Sequence, residues 1–333
     1  MILLPTFVAP FLIPLIFSQS PEKQRPFTKR AVVSVSRPAS EVGIRILREG
    51  GNAVDATIAT AFALAVTHPQ AGNIAGGGFM VVAPPDGGPS YQNAKVVDFR
   101  ETAPGKATAT MFQLKESVRN TKGVGVPGTV AGLELAHKRW GKLPWAQLVE
   151  PAVSLARNGF PVEKSLANSL NQVLPETVKA HPEFHRVFSK PGGGEWKTND
   201  ELKLPELASA LESIRDRGAA GFYTGKVADL MVAEMERTGG LITREDLIHY
   251  RAELRDPILV KFRGFDILAA PPPSSGGVCL AIILGMLETR PPRVGDRMSA
   301  DNIHFLAESM KRAFRERARW VGDPAFATLP AGL

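Results

Sequence analysis

Arg100 is the residue in this sequence best suited to bind a ligand. It stands in the sequence DFRE at residues 98–101, where an apolar run predicts a strand that ends at the surface. A guanidinium presents two parallel N–H groups that match a carboxylate, so an arginine in this place can hold an amino acid by its alpha-carboxylate. The alternative is a structural ion pair with Asp98 or Glu101, and the local sequence alone favours that ion pair.

A glycine pattern at residues 123–128 satisfies the G-x-G-x-x-G fingerprint of dinucleotide-binding sites. That fingerprint requires a strand before it and a later strand that ends in an acidic residue. Residues 113–122 are polar and charged instead, and no suitable second strand follows. We therefore predict a turn before a helix at this position.

Metal and nucleophile signatures are weak throughout the sequence. His181 and His185 are four residues apart, as two metal ligands on a helix would be, but Pro182 lies between them and no third ligand is near. The single cysteine, Cys279, excludes an intrachain disulfide, and its apolar surroundings predict a buried thiol. The sequence contains no G-x-S-x-G, H-E-x-x-H or phosphate-loop motif, and we predict no metal and no cofactor.

The element that must position the DFRE sequence is an apolar helix predicted at residues 53–66. Asp55 is its only charged residue, so the helix should be buried on all sides, although it is too short to span a bilayer. Asn52 is a suitable N-cap. Three glycines at 76–78 then allow a tight turn into a strand at 79–83, next to the strand that leads to Arg100.

The remaining pattern predicts a single α+β domain at residues 31–333. Residues 31–35 predict a buried strand, the middle third of the chain is mostly helical, and residues 253–269 predict short strands that form a hairpin. Ser299 should cap a long helix. We expect its apolar stripe to face inward, a stripe formed by Ile303, Leu306, Ala307, Met310, Ala313, Phe314 and Val321.

The run PPPSSGG at residues 271–277 precedes a further predicted helix at 278–287. Its serine and glycine residues present free backbone N–H groups at the start of that helix, where an anion can bind. The same residues can act simply as a helix cap, and we favour the capping role.

Composition excludes some functions and suggests a location. The chain has 333 residues, of which 44% are hydrophobic, enough for a large core. Its net charge is +7, but the lysines and arginines form no basic run, so we predict no nucleic-acid binding. Residues 1–20 begin with an uncharged apolar stretch and end in small residues, which predicts a signal peptide and a periplasmic or secreted protein.

Several longer segments resemble the large subunit of gamma-glutamyltransferases, the glutathione hydrolases. The matching sequences, in chain order, are GGNAVDA at 50–56, GGGF at 76–79, DFRETAP at 98–104, GVGVPGTVAGLE at 123–134, FYTGKVAD at 222–229, GGLITREDL at 239–247 and PPPSSGG at 271–277. The resemblance covers residues 31–326 in order.

The resemblance implies an N-terminal-nucleophile hydrolase fold with αββα layers. In that family a precursor cuts itself, and the new N-terminal threonine of the small subunit is the nucleophile. No such Thr-Thr-His segment occurs in this sequence. We therefore expect a C-terminally truncated large-subunit portion that is inactive alone and contains no catalytic residue, in which Arg100 binds the gamma-glutamyl substrate. The implied partners are glutathione or a similar substrate, the small subunit, and an acceptor amino acid, peptide or water.

Two alternatives remain open at this point. A cephalosporin acylase on the same scaffold cleaves a glutaryl amide, and a glutaryl group also has a carboxylate, so Arg100 does not separate the two activities. The chain could instead be a non-catalytic half that only binds a ligand or a partner subunit, since it has no nucleophile motif of its own.

Overall fold

The computed structural model describes residues 30–83, 91–113, 120–290 and 298–330. The predicted signal peptide at 1–20 therefore lies outside the described residues. From Val32 onward the chain forms one compact unit.

The apolar helix α2 (Ala53–Thr67) lies in the hydrophobic core, as its sequence predicts, but it is not buried on all sides. Ala53 and Thr57 are exposed and Ala61 and Leu64 are half-buried along one side. Ile58 and Phe62 are fully buried, and α2 packs between α1 (Arg37–Arg48) and α4 (Trp145–Asn158). No helix among the described residues is long and apolar enough to cross a bilayer.

The start of α2 explains why its single charge is tolerated in the core. Asn52 caps the helix as predicted: its side chain accepts the Asp55 N–H, and the Asp55 carboxylate accepts the Asn52 N–H in return. Asp55 is fully buried, and it also accepts the backbone N–H of Lys142 at 3.0 Å in the loop before α4. The carboxylate thus joins two helices as well as capping one.

The sheets are small and antiparallel. The first has strand order β1 (Phe79–Val82), β2 (Lys95–Asp98), β5 (Glu253–Arg255), with Phe79 opposite Asp98. The other two are pairs, formed by β3 (Phe160–Pro161) with β4 (Glu201–Leu202) and by β6 (Ile258–Phe262) with β7 (Phe265–Ala269). The predicted hairpin at 253–269 is confirmed as the β6–β7 pair.

The middle of the chain is helical, as predicted. In addition to α4, its helices are α3 (Thr129–Trp140), α5 (Lys164–Ala180), α6 (Pro182–Phe188), α7 (Pro205–Arg217), α8 (Ala220–Tyr223), α9 (Lys226–Thr238) and α10 (Arg244–His249). The fold thus mixes helices with short sheets, while the αββα layering implied by the family resemblance stays a prediction.

Two predictions about the ends of the chain are wrong. Residues 31–35 form no strand, since no strand among the described residues pairs with them. Val33 in this segment is 88% exposed rather than buried. At the other end, α11 (Gly276–Glu288) packs against α12 (Ala300–Trp320). The apolar stripe of α12 does not face inward as a whole: Ala313 is buried, but four large members are 41–49% exposed, namely Ile303, Leu306, Met310 and Phe314.

Candidate functional site

Arg100 occupies a gap between two short pieces of β pairing. The β1–β2 ladder continues one step further, because Phe99 and Gly78 exchange backbone hydrogen bonds of 3.0 and 3.2 Å. Two residues beyond Arg100, Thr102 forms an isolated antiparallel bridge with Val126. The backbone of Arg100 is therefore held between two fixed points.

Glycines allow three separate segments to pack closely together around Arg100. A Cβ at Gly77 would lie 2.5 Å from the Phe99 carbonyl oxygen, and a Cβ at Gly128 would lie 2.1 Å from the same oxygen and from the Tyr250 hydroxyl. Real Cβ atoms do not approach so closely, so only glycine fits at these two positions. The segments at 76–78, 98–102 and 125–129 thus form one packed unit.

The same packing settles the role of the glycine pattern at 123–128. Residues Thr121–Gly123 form one turn of 3₁₀ helix, and the Gly76 carbonyl accepts the N–H groups of Gly128 and Thr129 at the start of α3. The prediction of a turn before a helix is confirmed. The helix α3 begins at Thr129, directly after this turn.

Asp246 in α10 and Tyr250 just after α10 form hydrogen bonds with the backbone of residues 100–105. The Tyr250 hydroxyl donates a hydrogen bond of 2.8 Å to the Arg100 carbonyl oxygen. One turn earlier, the Asp246 carboxylate accepts the Gly105 N–H at 2.8 Å while it also closes a capping box with Thr243. The residues that α10 fixes in space thus hold both ends of the segment 100–105.

The Arg100 side chain lies at the surface of this turn. It is 56% exposed, and its Nε is 3.5 Å from Glu101 Oε2. Of the two ion-pair partners expected from sequence, Glu101 is thus the one observed, since Asp98 is buried and pairs with Arg255 Nε at 2.7 Å. An exposed pair at 3.5 Å is weak, so the guanidinium is available for a stronger carboxylate partner.

Burial controls ionisation around the turn. The pKa of Tyr250 is raised well above its ordinary value, first by burial and then by the neighbouring Tyr223, Asp98 and Glu101. Tyr223 is stacked on Tyr250 with ring centroids 5.9 Å apart, and burial also raises its pKa. Both phenols therefore stay protonated and act as hydrogen-bond donors to backbone carbonyl groups.

Asp246 shows the opposite behaviour. Burial disfavours its charged form, but hydrogen bonds from the N–H groups of Gly105 and Thr243 and from the Thr243 hydroxyl outweigh that penalty. The pKa of Asp246 is consequently lowered. Its link to the 100–105 segment is an ionised one at neutral pH.

The other candidate residues lie elsewhere in the molecule. His181 ends α5 and precedes α6, and the His185 ring contacts the Ser189 hydroxyl. Among the described residues, no group of three His, Cys, Asp or Glu side chains could hold a metal ion. Cys279 is buried in α11, as predicted.

The PPPSSGG run lies at the start of α11 and makes an interhelical contact. Ser275 is the N-cap residue, and its side chain makes no capping hydrogen bond, so the predicted capping role of the side chains is not confirmed. The Ser274 hydroxyl accepts the Gly276 N–H at 3.4 Å. Ser275 lies next to it, and its hydroxyl accepts a hydrogen bond of 2.8 Å from Arg317 Nε on α12. This run therefore helps to join α11 to α12.

Sequence reasoning did not find Tyr250 or Asp246 as parts of the site. Asp246 lies within the GGLITREDL segment at 239–247, one of the sequences that match the family, and Tyr250 follows that segment. The signal was thus present, but a contact between residues 150 positions apart is not visible in local patterns.

Known proteins resemble this chain along most of its length. The profile of the gamma-glutamyltranspeptidase family matches residues 39–333. The glutathione hydrolase proenzyme of Escherichia coli (strain K12) is 42% identical over 306 residues, which cover 90% of this chain and 52% of that protein. The acylase ACY 1 proenzyme of Pseudomonas sp. (strain V22) is 36% identical over 336 residues, which cover 97% of this chain and 59% of that protein.

The same relationship is found among solved structures. The crystal structure of Helicobacter pylori gamma-glutamyltranspeptidase matches with a TM-score of 0.85 at 38% sequence identity, over 90% of this chain and 86% of that chain. The chain spans about half the length of the curated relatives it matches. The matched residues include every segment that packs around Arg100.

Proposed function

Since the chain belongs to the gamma-glutamyltranspeptidase family, we propose that it is the large-subunit part of an enzyme that hydrolyses or transfers the gamma-glutamyl group of glutathione and related amides. The observation that carries this proposal is the accessible Arg100 guanidinium on a rigidly held turn. Its role is to bind the alpha-carboxylate of the gamma-glutamyl group through two N–H···O bonds.

The chemistry requires a nucleophile that this chain does not supply. A threonine at the start of a second subunit attacks the gamma-carbonyl carbon, and its own alpha-amine takes the hydroxyl proton. The C–N bond breaks, the amine leaves with a proton, and the glutamyl group remains as an ester of the threonine. Water or an acceptor amine then attacks the ester and regenerates the hydroxyl.

Arg100 contributes orientation to both steps. A gamma-linked substrate held at its alpha-carboxylate presents its side-chain carbonyl at a fixed distance from the binding residue, and such positioning accounts for a large part of enzymatic rate enhancement. Because the carboxylate is remote from the reacting atoms, the contact persists from the bound substrate to the transition state. We therefore expect loss of Arg100 to raise KM more than it lowers kcat.

Exposed apolar side chains on α12 support the proposal that a second subunit binds there. Ile303, Leu306, Met310 and Phe314 lie along one side of α12, and each is 41–49% exposed. Contiguous apolar patches of this kind mark interaction surfaces. We assign this face to the small subunit, whose strands would complete the αββα layers.

The gene offers a direct check on the origin of that subunit. If both subunits come from one precursor, the coding DNA should continue in frame beyond the Leu333 codon to a threonine-rich segment. A stop codon at that position would rule out a single precursor. The 333-residue chain alone should hydrolyse neither a gamma-glutamyl nor a glutaryl amide, because it has no nucleophile motif.

An acylase on the same scaffold is the second candidate, favoured by the 36% identity to the acylase ACY 1 proenzyme. Turnover of gamma-glutamyl anilide and of glutaryl anilide by the complete two-subunit enzyme separates the two. A higher kcat/KM for gamma-glutamyl anilide supports the first function, whereas a higher kcat/KM for glutaryl anilide would replace it with the second.

We also propose a periplasmic or secreted location. The proposal rests on the uncharged apolar sequence at residues 1–17 and the small residues that follow it. N-terminal sequencing of the protein recovered from the periplasm or the culture medium should place the mature N-terminus near residue 20.

A further inference from the structure

Strand pairing holds the backbone before and after Arg100, and two side chains bind the N–H and the carbonyl oxygen of Arg100 itself. Its N–H donates a hydrogen bond of 3.0 Å to Asp98 Oδ1, and its carbonyl oxygen accepts the 2.8 Å hydrogen bond from the Tyr250 hydroxyl. These two contacts fix the peptide groups on either side of the Arg100 Cα. The direction in which the guanidinium leaves the backbone depends on both of them.

Both side chains are themselves immobilised. Asp98 is 6% exposed, and Arg255 Nε donates to its other carboxylate oxygen. Tyr250 is 7% exposed and stacked on Tyr223 with an angle of 3° between the rings. A buried group that is held on its far side cannot follow a movement of Arg100, so it resists that movement.

We propose that Tyr250 and Asp98 are positioning residues, which act through the Arg100 backbone to hold the guanidinium in the orientation that binds the substrate carboxylate. This inference rests on the proposed role of Arg100. Two-point binding of a carboxylate depends on the angle as well as the distance of the guanidinium. The competing partner Glu101 lies only 3.5 Å from Arg100 Nε, so a loosened backbone allows the guanidinium to turn toward it.

The chain contains a matched control for Tyr250. Tyr223 has the same exposed fraction, 7%, and its hydroxyl also donates a 2.8 Å hydrogen bond to a backbone carbonyl, that of Pro127. Tyr250→Phe and Tyr223→Phe therefore remove the same atom from the same stack of rings. Only the first change frees the Arg100 carbonyl.

The test measures KM and kcat for gamma-glutamyl anilide in the complete two-subunit enzyme. We expect Tyr250→Phe to raise KM by about 2- to 10-fold, the effect of one lost hydrogen bond, with kcat nearly unchanged. Tyr223→Phe should leave KM unchanged. In an Arg100→Ala background, Tyr250→Phe should produce no further rise, because the residue through which it acts is absent.

The Arg100→Ala background also separates this inference from the proposed function. If Arg100→Ala raises KM but Tyr250→Phe leaves KM unchanged, or raises it equally in both backgrounds, the positioning role is overturned while the function stands. If Arg100→Ala itself leaves KM and kcat unchanged, the proposed role of Arg100 falls, and this inference falls with it.

Hydrogen exchange gives a readout that does not depend on turnover. Exchange of the peptide covering residues 99–105 should be faster in Tyr250→Phe than in Tyr223→Phe, because the Arg100 N–H opens when the carbonyl on its other side is freed. Equal exchange in the two variants would overturn the inference even if Tyr250→Phe reduced activity by lowering stability.

Discussion

Replacing Asp55 tests how the core helix is joined to the rest of the fold. Its buried carboxylate accepts the Asn52 N–H at 2.9 Å and the Lys142 N–H at 3.0 Å, with a longer contact of 3.4 Å to the Leu143 N–H. Asp55→Ala keeps the Asn52 cap but removes the reciprocal hydrogen bond from the Asn52 N–H to the carboxylate, which costs about 1 kcal/mol. Loss of a charged hydrogen bond to Lys142 adds about 1.5–3 kcal/mol. The sum of these two contributions predicts that Asp55→Ala lowers the free energy of unfolding by about 3 kcal/mol.

Urea denaturation followed by circular dichroism measures this change on the 333-residue chain. Asp216→Ala is the matched control, because Asp216 is a 58% exposed aspartate paired with its neighbour Arg215, and we expect it to leave the urea midpoint unchanged. If Asp55→Ala lowers the free energy of unfolding by less than about 1 kcal/mol, Asp55 contributes only to the capping box, and the proposed link between α2 and the loop before α4 is refuted.

Three other changes examine packing, charge and assembly. A Cβ at Gly132 would lie 2.2 Å from the Phe99 ring, so Gly132→Ala should lower the free energy of unfolding by about 1–3 kcal/mol. Gly285 on α11 has open space around its Cβ position, so Gly285→Ala should leave stability unchanged or raise it, and equal urea midpoints for the two variants would contradict this. Asp246, with a pKa below its ordinary 3.8, stabilises the fold above that pH and loses this effect as pH falls through its folded-state pKa. The Tm difference between wild type and Asp246→Asn should therefore shrink from pH 7 to about pH 3, and a constant difference would contradict the charged link. Met310→Lys should leave the Tm of this chain unchanged but prevent its co-purification with the small subunit, and normal assembly would exclude the α12 face.

Local signals in the sequence predicted the core correctly. The run at 53–66 has one charge, which predicts a helix in the core, and the structure buries all of it except the side that carries Ala53, Thr57, Ala61 and Leu64. Asn52 and Thr243 are followed three residues later by an aspartate, and both form the capping boxes seen in the structure. These features depend on residues within one helical turn of each other, which a sequence displays directly.

The features that failed depend on what covers a surface. The periodicity of α12 shows that one side is apolar, but it does not show whether the chain itself or another subunit packs there. In this chain Ile303 and Phe314, on the apolar side of α12, are each 49% exposed. Residues 31–35 have a strand-like sequence, but a strand needs a neighbour for its hydrogen bonds, and none is described beside them.

The candidate site was predictable only in part. Arg100 stood out because it is a charged residue at the end of an apolar run within a matching segment. Its ion-pair partner was not predictable, because Asp98 and Glu101 both lie within two residues of Arg100 and only the fold turns Asp98 toward Arg255. The hydrogen bond from Tyr250 required knowledge of how β5 and α10 return to the first sheet.

The measurement that tests the central claim most directly compares gamma-glutamyl anilide with 4-aminobutyryl anilide, which lacks only the alpha-carboxylate. It uses the complete enzyme as wild type, as Arg100→Ala, and as Arg186→Ala, a control with the same 56% exposed side chain. If Arg100 binds the alpha-carboxylate, a substrate without that carboxylate should show a kcat/KM about 10- to 100-fold lower in wild type and in Arg186→Ala. In Arg100→Ala the two substrates should differ only slightly. The same loss in all three enzymes would contradict the account, because the carboxylate would then be recognised by another residue.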